Sequence, residues 1–596
     1  MRKLCDVQPL LWPSTGICSE ELLYFHRDTH TQFVLGQSRM CFQRGASVRF
    51  STYFNGFSIE KWRKYTRVSR IYLKLKLSGT FQLFLLGFQY RNGAVISKVL
   101  QARILQAEDV QFFTLEFPEE DVALYGFSLQ ALEGDGIFEG GSYCCDPLPG
   151  SLPVPGLALN ICTYRRENYL KSTLERLRRG IWENPKSPIR ERLHVYITDN
   201  GQTLAPKEIE TDYIHLRRQN GAGSAGGFAA GQLAILRDRE QYQLTHMIFM
   251  DDDIVFDPAV LDRAYWFLYH LKPDYRDYVL GSGLLRLHTP TIQVEAGAWW
   301  RDGCITSAKS GLDLTRMEHV LFNELEEGCN YQGWWFCCVP LENQGLPCPV
   351  YFHRDDIEFG LRQRGFVHLN GICVWHEEFE NKPFSRNEYF DARNGLIVNA
   401  IHSVNYGKIA AFRDLTKSVF VKIFLYRYRE AMLILRGFED FCRGDDWVLE
   451  HDSGDFYTSL VQQGYLPIPV AEIGGDFNYS EYLQNLNPTR IGQKTYRRLR
   501  HLAGYFLPAN RTVTVPMFVP QISCCYRAKH VIHFNSSDET AYVTERSYSD
   551  TLNVVKEYLR ISLALFRRYD KAAKQWKARS STYFTDTFWK HKLNFE

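Results

Sequence analysis

The run IFMDDDIVFDP sets three carboxylates, Asp251, Asp252 and Asp253, directly behind an apolar segment. Like charges in contact disfavour ionisation, so such a cluster persists most easily when a cation neutralises it. Hard divalent ions such as magnesium or manganese take oxygen ligands and bridge to diphosphate oxygens. In extended chain the period of two puts Asp251 and Asp253 on one side and turns Asp252 away. A solvated acidic turn is the alternative. Asp257, which opens DPAVLDRAYWFL, is better explained as a helix cap.

Other residues could work with this pair. His376 follows the apolar run HLNGICVW and could supply a nitrogen ligand beside Asp251 and Asp253; a core or surface histidine is the alternative. Asp199 lies at the end of the strand-like LHVYI and could accept hydrogen bonds from a uracil imide or a sugar hydroxyl, or simply close an Asx turn through Asn200-Gly201. Asn220 and Gly221 open NGAGSAGG, whose glycines allow backbone to approach a ligand and expose amides to phosphate; a structural turn competes. In FHRDDIEFGLRQRGF, Asp355 could cap the following helix, leaving Asp356 as the better general base for an acceptor hydroxyl. Glu358 is a further binding candidate. The pairs Trp299-Trp300 and Trp334-Trp335 could stack on sugar faces or pack in the core, and strand alternation would bury only one ring of each.

These residues need elements to position them. The chain has 596 residues, 45% apolar and 14% aromatic, enough for several domains with large cores. Residues 1–150 alternate with period two. Ser69–Tyr90 is expected to fold around a Ser78-Gly79 turn, with further strands over Val110–Glu116 and Val122–Leu132, together an antiparallel β-sandwich. The proline-rich CCDPLPGSLPVPG marks a boundary. Residues 151–400 alternate strands (LALNIC, LHVYI, HMIFM) with helices over Tyr169–Arg179 and Ala229–Leu236. This predicts an α/β domain with a largely parallel sheet and ligands at its carboxyl edge. Residues 401–596 read mainly as helix, over Asp414–Phe438, Tyr482–Asn487 and Ser547–Ser580, with a small strand insertion at Thr512–Met517 and His530–Phe534.

Composition excludes some classes. Seventy Lys and Arg against 68 Asp and Glu give a net charge of +2, which argues against a nucleic-acid-coating protein. No secretory signal opens the chain, and no run reaches the roughly 18 apolar residues of a membrane span. Fifteen cysteines without CxxC spacing suit reduced thiols in cytoplasm rather than zinc or iron–sulfur sites. GK[ST] and GxSxG are both absent, so a P-loop and a serine-hydrolase elbow are not expected.

Taken in order, NICTYRRENYL, ITDNG, NGAGSAGG, MDDDI, GWWF, RDDIEFGLRQRG and VWHEEF resemble the inverting nucleotide-sugar glycosyltransferases of the GT-A fold. More closely, they are similar to the polymerising galactofuranosyltransferases of bacterial cell-envelope synthesis. The resemblance implies a GT-A core flanked by an N-terminal β-sandwich and a helical C-terminal domain. It implies transfer of galactofuranose from UDP-galactofuranose, with inversion, to a lipid-linked glycan. By this resemblance Asp199, Asn220, Gly221 and Asp251 to Asp253 bind the donor; Asp251, Asp253 and His376 hold Mn2+ or Mg2+; and Asp356 is the base. Trp299, Trp334, Trp335 and Asp355 shape the acceptor side. Family members tend to carry tryptophan where this chain has Arg354 and Phe379, which bears on acceptor identity more than on donor chemistry. Cytoplasmic placement, peripheral membrane contact through the C-terminal region and homo-oligomerisation are further expectations, with no nucleic-acid partner. Transfer of another UDP-hexose, or noncatalytic glycan binding, are the competing functions.

Overall fold

The computed structural model describes residues 4–148, 154–342, 345–379, 384–474, 476–486, 504–509, 511–518 and 520–595. Part of the proline-rich boundary lies outside them. Two compact units are interleaved in sequence: Met1–Gln219, Gly227–Gly345 and Phe359–Glu377 form the first; Asn220–Gly226, Leu346–Glu358 and Glu378–Glu596 the second.

The first unit begins with eight strands, β1 (Cys5–Pro9), β2 (His26–Arg27), β3 (Thr31–Val34), β4 (Arg39–Phe42), β5 (Ser47–Arg49), β6 (Ile71–Arg91), β7 (Ala94–Glu116) and β8 (Leu124–Cys145). They pair antiparallel in one hydrogen-bonded network, β8 contacting β1, β4, β5 and β6. Alternation along β6 buries Leu73, Leu75, Leu77, Phe81, Leu83 and Leu85, the pattern of a sheet with one face in a core. Ser78-Gly79 is not a turn. The strand runs straight through it, and the pairing with β7 shifts register between Leu77 and Gly79, whose φ is +109°. A glycine bulge bends a long strand and mimics a hairpin signal in sequence. Helix α1 (Ile59–Tyr65) ties this region to the rest of the unit: Ser58 Oγ donates to Glu324 Oε1 at 2.7 Å, and Lys61 Nζ lies 3.4 Å from Glu324 Oε2.

The α/β part of the same unit is built on β9 (Leu157–Thr163), β10 (Leu193–Asp199), β11 (Ile214–Arg218), β12 (His246–Asp251), β13 (Val279–Arg286), β14 (Gln293–Glu295), the hairpin β15 (Ala298–Arg301) and β16 (Cys304–Ser307), β17 (Cys337–Pro340) and β18 (Phe366–His376). Sheet order is β11-β10-β9-β12-β17-β13-β14, with β18 beside β13. The first four are mutually parallel, as expected; β17 runs antiparallel between β12 and β13. Helices α2 (Glu167–Leu177), α3 (Pro206–Ile209), α4 (Gly223–Asp238), α5 (Ala259–His270) and α6 (Met317–Glu324) connect these strands. Helix α4 starts six residues before the expected Ala229, so NGAGSAGG is largely helix rather than turn. Its glycines are packing requirements: a Cβ on Gly227 would meet Cys162 Sγ at 2.2 Å, and one on Gly231 would meet Asn160 Oδ1 at 2.0 Å.

The second unit is mainly helical: α7 (Asp355–Leu361) starts in it, followed by α8 (Asn387–His402), α9 (Lys408–Phe424), α10 (Tyr428–Arg443) and the 36-residue helix Tyr548–Tyr583. The single helix expected over Asp414–Phe438 is two. The break centres on Tyr426, at φ +58°, whose buried hydroxyl donates to Ala528 O at 3.2 Å. Apolar periodicity continues across the break, so sequence alone does not reveal it. Strands Arg511–Pro516, Ala528–Asn535 and Thr540–Glu545 belong to a small four-stranded sheet. No helix among the described residues is long and apolar enough to cross a membrane. The fifteen cysteines form no disulfide.

Candidate active site

Parallel pairing fixes which residues share the carboxyl edge of the sheet. Asp199 of β10 is in register with Thr163 of β9, and Asp251 of β12 with Cys162. Thr163, Asp199 and Asp251 therefore emerge side by side, where open α/β sheets bind ligands. His376 reaches the same edge by another route. Backbone bonds between Val255 and Trp375, at 2.8 and 2.7 Å, clip the end of β18 to the chain just past Asp253. His376 Nε2 lies 3.4 Å from Asp253 Oδ1. The expected approach of His376 to the acidic run is thus present.

The acidic run has a cation of its own. Arg166, at the start of α2, places Nη1 3.0 Å from Asp252 Oδ1 and 2.7 Å from Asp253 Oδ2; Thr163 Oγ1 donates to Asp252 Oδ2 at 2.7 Å. Asp252 is thereby held; it and Asp253 lie in the turn just past β12 and share the Arg166 guanidinium, so the strand alternation expected to turn Asp252 away from Asp253 does not extend to them. Burial first and Asp253 second push Asp251 up to about 7, with His376 and Arg166 pulling down. Burial likewise raises Asp252, against the pull of Arg166. Burial opposes the charge on Arg166 itself, but Asp253 and Asp252 prevail and raise its pKa. Thr163 and Arg166 were not singled out from sequence. Their signal was position: Thr163 ends β9 and Arg166 follows shortly after it, and parallel β9–β12 pairing brings that end to the acidic run.

Two carboxylates and an imidazole are a donor set suited to a hard divalent cation, and a cation would reverse the upward push on Asp251. The donor chemistry fits, although among the described residues no three His, Cys, Asp or Glu side chains form a ready metal cage. Asp199 is fully buried and spends both oxygens on its own loop, accepting from Gly201 N at 2.9 Å and Leu204 N at 2.8 Å. That is the Asx-turn geometry.

Each tryptophan pair buries one ring more than the other, by strand alternation in β15 for Trp299-Trp300 but in a turn for Trp334-Trp335. Trp300 is buried and Trp299 half-buried, its Nε1 donating to Gly328 O at 3.1 Å and its ring under Arg301. Trp334 is 4% exposed, stacked on Phe249 at 4.3 Å between centroids and edge-on to Phe228 at 4.9 Å. Trp335 is the more open of that pair.

Asn220, Gly221, Asp355 and Asp356 belong to the second unit. Asn220 is exposed, and Gly221 has φ +53°. Asp355 is buried, accepting from Ser224 Oγ at 2.7 Å; burial raises its pKa against that bond. Asp356 is half-buried on the first turn of α7 and accepts from Ile357 N at 2.8 Å. Glu358 is fully buried and paired with His402 Nε2 at 2.9 Å. Arg354 pairs with Asp391 at 3.2 Å, and His353 Nδ1 with the same oxygen at 2.9 Å. Against its burial, Arg354 and His353 hold the Asp391 carboxyl down at about 2.

Residues 159–280 match the family model for glycosyl transferase family 2, and residues 8–137 that for the galactofuranosyltransferase 2 N-terminal region. Among curated proteins the chain is similar to a protein named galactofuranosyltransferase GlfT2 from Mycolicibacterium smegmatis, at 24% identity over 63% of this chain and 60% of the relative. It is also similar to the protein of that name from Mycobacterium tuberculosis, at 22% identity over 80% of this chain and 77% of the relative. A solved Clostridium thermocellum xylanase with a CBM22-1 module overlaps 34% of this chain and 38% of its own at 10% identity, with a TM-score of 0.18. The resemblance read from the motifs is borne out at this level: residues 159–280 match glycosyl transferase family 2, both relatives are named galactofuranosyltransferase, and the chain spans less than two thirds of the length of the first of them.

Proposed function

We propose that this glycosyltransferase moves galactofuranose from UDP-galactofuranose, with inversion, to a hydroxyl of a lipid-linked or growing cell-envelope glycan. The single observation that carries the reading is the convergence of Asp251, Asp253, His376 and Arg166 beside Thr163 at the carboxyl edge of the parallel strands. The donor and product assignments lean on the two relatives and the N-terminal family match.

Asp251, Asp253 and His376 would hold a divalent ion, Mn2+ or Mg2+, whose chemistry when bound is to offset charge on the departing diphosphate. Arg166 and Thr163 hold Asp252, and Arg166 also pairs with Asp253, so that guanidinium would sit beside the ion and share one of its carboxylates. Asp199, through the Gly201 and Leu204 amides it binds, shapes the loop under the uridine, with Asn220 and Gly221 contributing backbone. Asp356 takes the proton of the acceptor hydroxyl as that oxygen attacks the anomeric carbon. The bond from that carbon to the diphosphate oxygen breaks in the same displacement, and UDP leaves. Trp299 and Trp335 offer sugar-stacking faces, Trp334 backs them from the core, and Asp355 orders the turn before Asp356. In this reading the chain works as three regions: residues 1–150, a β-sandwich that holds the non-reacting glycan; residues 151–400, the catalytic core; and residues 401–596, a helical region that meets the membrane surface. Homo-oligomerisation belongs to the same reading.

Asp356→Asn tests the mechanism. Turnover should fall by about 10²–10⁴-fold while UDP binding by calorimetry is largely kept. Near wild-type turnover at saturating substrates would reject Asp356 as the base. A screen of UDP-sugars with linkage analysis of the product separates galactofuranose from another hexose. Glycan affinity without turnover of any donor would favour a binding protein.

A further inference from the structure

The four residues before Asp355 hold an unusual backbone. Tyr351, His353 and Arg354 have φ of +68°, +64° and +69°. None is glycine or asparagine, and bulky side chains seldom occupy the left-handed region, so three in four positions persist only where the surroundings over-determine them. Such strain stored immediately before the proposed base calls for a restraint, and the second unit contains one.

Asn394 of α8 is fully buried. Its Nδ2 donates to Val350 O at 3.1 Å, Phe352 O at 2.7 Å and His353 O at 2.9 Å. Its Oδ1 accepts from Arg393 Nε at 2.9 Å, which fixes which end of the amide faces the loop. Arg393 is fully buried as well; its Nη2 donates to Val350 O at 2.9 Å, and it is locked by a two-point pair with Asp452 at 2.5 and 2.9 Å. One turn earlier on α8, Asp391 gathers His353 and Arg354. From the other side Ala225 N donates to Tyr351 O at 3.2 Å, and a Cβ on Gly223 would strike that same oxygen at 2.1 Å. The loop then hands its last carbonyl to the helix, Glu358 N donating to Arg354 O at 3.0 Å.

We infer that Asn394 is a positioning residue for the transfer reaction: its amide, held by Arg393, clamps the strained Tyr351–Arg354 loop and thereby sets the direction in which Asp356 leaves α7. The inference rests on the reading of Asp356 as base. Asn394 touches neither substrate nor reacting atoms and acts through the loop. No short motif announces it, because it lies 38 residues beyond Asp356 and inside an ordinary helix.

The test uses the full chain with UDP-galactofuranose as donor and an alkyl galactofuranosyl disaccharide as acceptor, UDP release being followed. Asn394→Ala should lower kcat by about 100-fold, the cost of an ångström-scale misplacement, and change the donor KM by less than about threefold. Amide exchange over residues 352–358 should rise. Adding His353→Gly, which takes a positive φ without strain, should return roughly tenfold in kcat. Should Asn394→Ala not fold, Asn394→Asp keeps the volume, sets a carboxylate against three carbonyls and carries the same expectations. A kcat within threefold of wild type with unchanged exchange overturns the inference, as does a kcat loss that His353→Gly leaves untouched. If Asp356→Asn kept its turnover the base assignment would fall, and the exchange result would still decide whether Asn394 clamps the loop.

Discussion

Gly231 sets two physical effects against each other. It sits inside α4, where alanine is favoured over glycine by about 0.8–1 kcal/mol. It also faces β9 at a separation that admits no side chain: a Cβ would lie 2.0 Å from Asn160 Oδ1 and 2.7 Å from Asn160 Cγ. Asn160 cannot swing aside cheaply. It is fully buried, and its Nδ2 donates to Phe228 O at 2.8 Å and reaches Met247 Sδ at 3.4 Å. Relieving the clash requires either a shift of α4 from the strand, an overpacking cost of about 1–3 kcal/mol, or loss of the Asn160 bond with its buried partner left unmet, about 1–3 kcal/mol. After the helix-propensity gain, Gly231→Ala should be destabilising by up to about 2 kcal/mol, or a fall in Tm of up to roughly 3 °C in a unit of this size. Thr163 and Arg166 continue from the same strand, so donor affinity should fall too. Differential scanning calorimetry of wild type, Gly231→Ala, Asn160→Ala and the double variant measures the coupling. Removing the asparagine should make the alanine tolerable, the double variant being at least about 1 kcal/mol more stable than additivity predicts. A single variant as stable as wild type would mean that helix propensity wins and the close contact is soft.

Two further outcomes follow from electrostatics. Asp253→Ala should raise the Mn2+ concentration needed for half-maximal UDP binding by about tenfold or more; an unchanged calorimetric titration would remove Asp253 from the ligand set. Asp262, buried in α5 and bonded to Ser187 Oγ at 2.7 Å, is pushed up to about 7 chiefly by its burial. The folded chain therefore holds a proton that the unfolded chain has lost between pH 3.8 and 7, and stability present below pH 3.8 is lost as pH rises toward 7. Asp262→Asn should abolish that slope, gaining up to about 4 kcal/mol at pH 8 and nothing at pH 3.5; a Tm difference independent of pH would refute the assignment.

The chemistry-bearing runs were legible because their meaning is local. Three carboxylates after a buried strand repel one another whatever lies elsewhere, and a strand period or a helix period needs only its own side chains. The parallel strands, Asp251 to Asp253 at a strand end, Asp257 beside the start of α5 and the one-in, one-out burial of Trp299-Trp300 were all readable in this way. Where reading failed, a distant partner decided. The Ser78-Gly79 bulge looks like a turn until β7 and β8 pair along it, and the break at Tyr426 depends on Ala528, 102 residues away. NGAGSAGG looks like a loop until its last glycine, Gly227, is seen to admit Cys162.

Residue types and periods therefore determined the class of fold, the acidic cluster and the candidate base. Only the folded chain decided that Arg166 and Thr163 would restrain Asp252, that His376 would reach Asp253, and that α8 would clamp the loop before Asp356. Short-range patterning depends on neighbours along the chain, whereas hydrogen bonds and ion pairs of a few ångströms act between residues that only sheet order and helix packing bring together.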